Sequence, residues 1–214
     1  MKRTTSTMLV QAFLLVVVTA LVLGESRSAG ATPAFVNGTF EGGLTGWTAV
    51  TTIPVNTFVH VETCCGPGFD GLAWLFLCGF DCQGYAEQTV SGLTSGTTYA
   101  VDFLMASELN RSDTLVVSVT NGSSTPSKQF FAPAATIIHW DNWASREYDF
   151  LASGTSATVR FSSVASLPGI PFDQQPHYDV GLDKVSLEAI PEPASLLLLL
   201  AGLLALRFSK SHRD

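Results

Sequence analysis

The chain has 214 residues, a formal charge of −7 and only 14% charged residues, and residues 32–190 hold 15 Asp and Glu against five Lys and Arg. So acidic a middle excludes nucleic acid, whose phosphates require a cationic face, and equally a basic patch for anionic lipid. Mean hydropathy is +0.30, concentrated in two apolar runs, Met8–Leu23 and Ala194–Leu206, while aromatic and β-branched residues recur between them in a way that excludes a disordered chain.

Lys2 and Arg3 precede Met8–Leu23, and Ala29-Gly30-Ala31 follows it. A positive start, an apolar helix and a small-x-small site make up a secretory signal peptide, expected over residues 1–31 with Thr32 first in the mature chain. An uncleaved N-terminal anchor is the alternative.

Residues 32–190 contain no ten-residue stretch of helical periodicity, and period-two alternation recurs instead. Val55, Thr57, Val59 and Val61 form one such set, Leu72–Leu77 reads as a strand, and Tyr99, Val101, Phe103 and Met105 share a face of Thr98–Ala106. Leu115, Val117 and Val119 do the same within Asp113–Thr120, as do Ala157, Val159 and Phe161. Gly66-Pro67-Gly68, Ser95-Gly96, Asn121-Gly122, Ser153-Gly154 and Pro168-Gly169 punctuate them. The pattern predicts one all-β domain, an antiparallel jelly-roll β-sandwich of about eight to ten strands. Leu182, Val185 and Leu187 can all face inward only if alternation slips once, which predicts a β-bulge re-aiming Asp183.

Cys64, Cys65, Cys78 and Cys82 are an even set clustered in an exported chain, which reads as two disulfides. The pairing is Cys64–Cys78 with Cys65–Cys82, or the crossed arrangement. A four-thiolate zinc site is the rival, for which adjacent cysteines are poor spacing. His60, His139 and His177 lack metal-ligand spacing, and neither a nucleophile elbow nor a phosphate loop is present. Nothing selects a glycosidase pair among the carboxylates, so the expectation is a protein that is not an enzyme.

Trp74, Trp140 and Trp143 are the aromatics suited to sugar stacking, with Phe80 and Tyr85 near the cysteines. His139-Trp140-Asp141-Asn142-Trp143 mixes flat rings with hydrogen-bonding groups, and its tryptophans would face opposite sides of a regular strand. Burial in a core is the competing reading for each, and Trp47 is assigned there.

Phe35-Val36-Asn37-Gly38-Thr39-Phe40-Glu41, followed by Leu44-Thr45-Gly46-Trp47, and Val180–Leu187 resemble the opening and closing strands of galactose-binding-like jelly rolls, the fold of many carbohydrate-binding modules. Ala86–Val90 through Tyr99–Phe103 is similar to the middle strands of that group. The resemblance implies that Glu41 and Asp183 meet on one edge and hold a structural Ca²⁺, helped by backbone carbonyls of Asn37–Gly43. The alternative is two solvated carboxylates at strand ends.

After the last strand come Pro191-Glu192-Pro193, the apolar run Ala194–Leu206, and a tail with Arg207, Lys210 and Arg213. At 13 residues the run makes a transmembrane helix of about 20 Å, short of the roughly 30 Å hydrocarbon core, with the basic end held in the cytoplasm. Residues 191–214 resemble the PEP-CTERM sorting signal. The resemblance implies a Gram-negative protein exported by the Sec machinery, halted transiently in the inner membrane, relieved of its tail by an exosortase and sent to the cell surface or beyond. Its members are linked to extracellular polysaccharide and biofilm. The expectation is therefore a non-catalytic, glycan-binding or glycan-associated sandwich over residues 32–190. A matrix protein without ligand and a cryptic glycoside hydrolase are the alternatives.

Overall fold

The computed structural model describes residues 32–51, 59–63, 71–77, 84–107, 114–133, 140, 142–163 and 179–191. Of two compact units, Met1–Thr32 and Pro33–Asp214, all the described residues but Thr32 belong to the second. Both apolar runs, Ala29-Gly30-Ala31, the four cysteines, Val55, Thr57, Phe80, His139, Asp141, His177, Glu192 and Pro193 lie outside the described residues. So do Gly66-Pro67-Gly68 and Pro168-Gly169.

Ten strands are described: β1 (Thr48–Thr51), β2 (Val59–Glu62), β3 (Trp74–Leu77), β4 (Gly84–Ser91), β5 (Thr98–Ser107), β6 (Thr114–Thr120), β7 (Ser127–Phe131), β8 (Ala144–Leu151), β9 (Ser156–Ser163) and β10 (Val180–Ala189). They form two antiparallel sheets, ordered β1-β4-β9-β6-β7 and β2-β3-β10-β5-β8. The alternating sets fall where expected: Tyr99, Val101, Phe103 and Met105 on β5, Leu115, Val117 and Val119 on β6, and Ala157, Val159 and Phe161 on β9 are all buried in one core. Phe103 binds the sheets together, packing edge-on against Phe161 of β9 (5.3 Å) and Phe130 of β7 (5.2 Å). Inner faces pack as in other sandwiches, so each strand's alternate residues must point outward.

The bulge is also present. Pairing of β10 with β5 slips between Asp183 and Ser186, and Lys184 takes a left-handed φ of 51°. Leu182, Val185 and Leu187 thereby all reach the core.

The segment Phe35–Trp47 departs from the expectation of an opening strand: it is a run of turns. Asn37 governs it from a left-handed φ of 53°, its Nδ2 donating to Gly43 O (2.7 Å) and its Oδ1 accepting from Gly42 N–H (2.9 Å). Asparagine tolerates that backbone, and its side chain competes with strand hydrogen bonding. The loop joins both sheets. Gln88 of β4 both donates to and accepts from the Val36 backbone, while Val185 N–H of β10 donates to Gly38 O (2.9 Å). Phe40 and Trp47 are thus carried into the core, as assigned for Trp47. The third strand is shorter than Leu72–Leu77, since Leu72 is an exposed bend and pairing begins at Trp74.

Candidate functional site

The second sheet turns an unusual face outward. Leu75 and Leu77 of β3 belong to the core, so Trp74 and Phe76 must point the other way. On β10 and β5 the outward residues level with Phe76 are Gly181 and Ala106, which have almost no bulk. Three indoles fill the space. Trp74 lies 4.6 Å from Trp140 and 6.1 Å from Trp143, and Phe76 packs edge-on to Trp140 at 5.8 Å. A Cβ on Gly181 would sit 3.1 Å from both Trp140 Cε3 and Trp143 Cη2 and 3.2 Å from Trp74 Cε3. The absence of a side chain there is what lets the rings settle onto the sheet.

The three tryptophans singled out from the sequence are therefore brought together. Their expected placing on opposite faces of a strand does not occur, because neither Trp140 nor Trp143 lies in a strand. Trp140 is in a turn with φ 63°, a costly conformation for so bulky a residue. Exposure is graded: Trp74 is fully buried, Trp140 is 6% exposed, and Trp143 and Phe76 are half-buried. Trp74 is a floor, and Trp143 the ring a ligand would meet. Trp74 Nε1 is buried with no hydrogen-bond acceptor among the described residues. On β2, His60 Nε2 and Glu62 Oε2 are 3.0 Å apart, and the His60 ring lies 5.2 Å from Phe76.

Farther along the same face the aromatic surface gives way to carboxylates. On β5, Leu104 and Asp102 follow Ala106 outward; Asp102 is level with Ser186 and Glu147, and the next row holds Glu188 and Asp149 around Ala100. A groove of about 330 Å³ opens here between Asp102, Leu104, Ser145, Lys184, Ser186 and Glu188. Burial, then the negative charges of Glu188 and Asp149, push the Asp102 carboxyl above the ordinary carboxylate range. A raised folded-state value means the native protein holds the proton more tightly than the unfolded chain. Stability therefore falls as pH rises from the unfolded carboxylate value, near 4, through the higher folded one. Asp102→Asn is expected to raise stability at neutral pH by about 0.5 kcal/mol, the scale of cross-strand like-charge contacts. The gain should vanish below the ordinary carboxylate range in thermal melts across pH.

Glu41 and Asp183 flank one end of β3. Glu41 Oε1 accepts from the N–H groups of Leu72 (2.9 Å) and Ala73 (3.0 Å). Asp183, one residue beyond the Leu182–Leu75 pair, is level with Trp74 and fully buried, its Oδ1 accepting from Lys184 N–H (2.7 Å). Among the described residues no group of three or more His, Cys, Asp or Glu side chains could hold a metal ion. Calcium there would draw most of its six to eight oxygens from backbone carbonyls and water. Tyr85 lies in β4, where Arg160 covers its ring at 3.9 Å and also bonds Glu87.

His60, Glu62, Phe76 and the acidic strip were not singled out from the sequence. The alternation Glu147-Tyr148-Asp149-Phe150 carries part of the signal, because a carboxylate between two core aromatics must point outward. Which strands stand side by side is not a local property.

Residues 189–213 match the PEP-CTERM protein-sorting motif, the mark of an exported chain halted at the membrane before delivery. No curated protein matches the sequence. Among solved structures, TmCBM61 in complex with β-1,4-galactotriose aligns with a TM-score of 0.53 at 16% identity, covering 74% of this chain and 100% of that one. The K1 cleaved adhesin domain of Lys-gingipain from Porphyromonas gingivalis W83 aligns at 0.50 and 13% identity, over 72% and 96%. The enzymatically active domain of bacteriophage CBA120 tailspike protein 4 aligns at 0.51 and 13% identity, over 72% of this chain. The present chain spans only 21% of that tailspike domain. At these identities the likeness is one of fold, the jelly-roll sandwich of carbohydrate-binding modules.

Proposed function

We propose that the chain is an exported, non-catalytic glycan-binding sandwich of the cell surface or extracellular matrix, with its ligand resting on Trp143 and the cluster that Trp74 and Trp140 form beneath it. The observation that carries this reading is where those rings sit. A sandwich folds by burying the inner faces of its sheets, and the aromatic cluster is separate from that core. It covers instead an outer face, over two residues that make room for it. Flat rings with indole N–H groups suit the apolar faces and hydroxyls of sugars. The left-handed Trp140 is strain of the kind that persists where function requires a geometry. TmCBM61 was solved with β-1,4-galactotriose, which supports a glycan as the ligand class.

Placement along β10 agrees with display at a surface. Gly181 lies near its start and the sorting motif begins at Ala189, where Ile190 N–H still donates to Thr98 O (2.8 Å). Eight residues of strand put about 27 Å between them. In this reading the Sec machinery exports the chain, an exosortase removes the tail, and the rings face away from the tether toward extracellular polysaccharide. A structural calcium at Glu41 and Asp183 belongs to the same proposal, and a fall in melting temperature on chelation reads it out.

The test is a glycan array with the full chain purified after export from a Gram-negative host. Saturable binding is expected, and Trp143→Ala should weaken it about tenfold, the loss of one ring contact of about 1.4 kcal/mol, in a variant that keeps its circular dichroism. No binding from a folded chain would favour a matrix protein without ligand. One observation favours hydrolysis as a second reading: Asp102, with its raised carboxyl, lies in a groove beside Glu188. Reducing ends released from a bound oligosaccharide, and lost in Asp102→Asn, would establish it.

A further inference from the structure

The aromatic cluster and the acidic groove are parts of one surface. On β5, Ala106 and Asp102 are outward residues four apart, with unbroken pairing to β8 between them. The strand therefore carries the surface from rings to carboxylates in about 14 Å. Resting on the glycan reading above, we propose that this face selects a glycan bearing free, protonated amino groups. Trp143, backed by Trp74 and Trp140, stacks on a sugar ring, and Asp102, Glu147, Asp149 and Glu188 pair with the ammonium groups.

Three observations support this. The first is charge: Lys184 is the one cation among the described residues lining the groove, against Asp102 and Glu188, with Glu147 and Asp149 exposed beside them on β8. A uronate polymer would set carboxylate against carboxylate, and a neutral glycan would leave the excess negative charge of the strip unbalanced. The second is the state of Asp102, held above its ordinary range by burial and by its acidic neighbours. A cation seated among them would relieve that repulsion. The third is independent of charge. Trp74 Nε1, on the same face, is fully buried with no acceptor among the described residues, and a glycan hydroxyl admitted by a parting of the rings above it would supply one. A lysine-rich peptide would satisfy the carboxylates but would make no use of stacked rings.

The experiment is titration calorimetry on the full chain with three oligosaccharides, β-1,4-linked glucosamine, its fully N-acetylated counterpart and oligogalacturonate, and with a lysine-rich peptide. A pH of about 5.5 lies above the ordinary carboxylate range and keeps the amines protonated. The glucosamine oligomer should bind at least tenfold more tightly than the acetylated one, and high salt should erase the difference. Asp102→Asn should cut that preference several-fold while raising the melting temperature, an opposition that a merely structural residue would not produce. Glu188→Gln should cut it likewise. Trp143→Ala should weaken both oligomers alike. Equal binding of the two, or tighter binding of oligogalacturonate, overturns the selectivity and leaves the glycan reading standing. Binding of a lysine-rich peptide with no oligosaccharide bound, or no binding at all, overturns both.

Discussion

Phe161→Ala is expected to lose about 4 kcal/mol of folding free energy, within the range for burying nothing where an aromatic was. Phe161 is fully buried on β9, the central strand of its sheet, between β4 and β6. It meets Phe103 of the opposite sheet at 5.3 Å and Trp47 of the turn-rich loop at 6.1 Å. Three pieces of the molecule that are remote in sequence thus share one ring, and none can collapse into the cavity without breaking the register of a central strand. Against a total stability of about 5–15 kcal/mol, the melting point should fall by about 10 °C. In urea the midpoint should drop with an unchanged slope. Phe161→Leu, which keeps most of the volume, should lose about 1.5 kcal/mol or less. A loss under about 1 kcal/mol for the alanine variant would mean that the sheets are not locked together at this ring. The outer tryptophans form a separate cluster, so the stability costs of Phe161→Ala and Trp143→Ala should add.

The inner face of this sandwich is readable in the sequence because its information is local. Tyr99, Val101, Phe103 and Met105 fall at every second position of β5 and all reach the core, although Ala100, Leu104 and Ala106 of the opposite face are buried as well. The slip at Asp183 is readable for the same reason, since three apolar residues with a mixed spacing cannot share a face unless the strand bulges. The outer face is not readable in this way. Gly181 becomes meaningful only when Phe76 is known to lie on one side of it and Ala106 on the other, and both pairings join strands far apart in the chain. The tryptophans illustrate the limit. Their residue type suggested a platform, but period-two reasoning placed Trp140 and Trp143 on opposite faces. It failed because a left-handed turn at Trp140, not a strand, aims the pair. Phe35–Trp47 failed by another route. Its resemblance to an opening strand suggests β structure, whereas Asn37 and the glycines at 38, 42, 43 and 46 favour turns, and the turns prevail.

That loop is where the second large effect is expected. Gly38→Ala should cost about 3 kcal/mol or more, although Gly38 lies outside every strand and the substitution adds one methyl group. A Cβ at Gly38 would collide with the Val185 carbonyl oxygen, a backbone atom rather than a movable side-chain tip. Val185 cannot retreat: its side chain is buried in the core, and it sits inside the bulge whose neighbour Lys184 already holds a left-handed φ of 51°. The loop must lift instead. Lifting breaks the Val185 N–H to Gly38 O bond and strains the two bonds between Gln88 and Val36. It also withdraws Phe40, which is wholly buried, and Trp47, which stacks on Phe35 at 5.5 Å. Partial loss of two aromatic residues from the core is what makes the cost large. Gly154→Ala is the control, since a Cβ there would meet nothing within 4 Å and the change should stay within about 0.5 kcal/mol. The expected consequence reaches the binding face as well. The bulge that Gly38 braces sets Ser186 and Glu188 opposite β5, so a lifted loop should weaken the glycan binding proposed for the acidic groove before the sandwich itself unfolds.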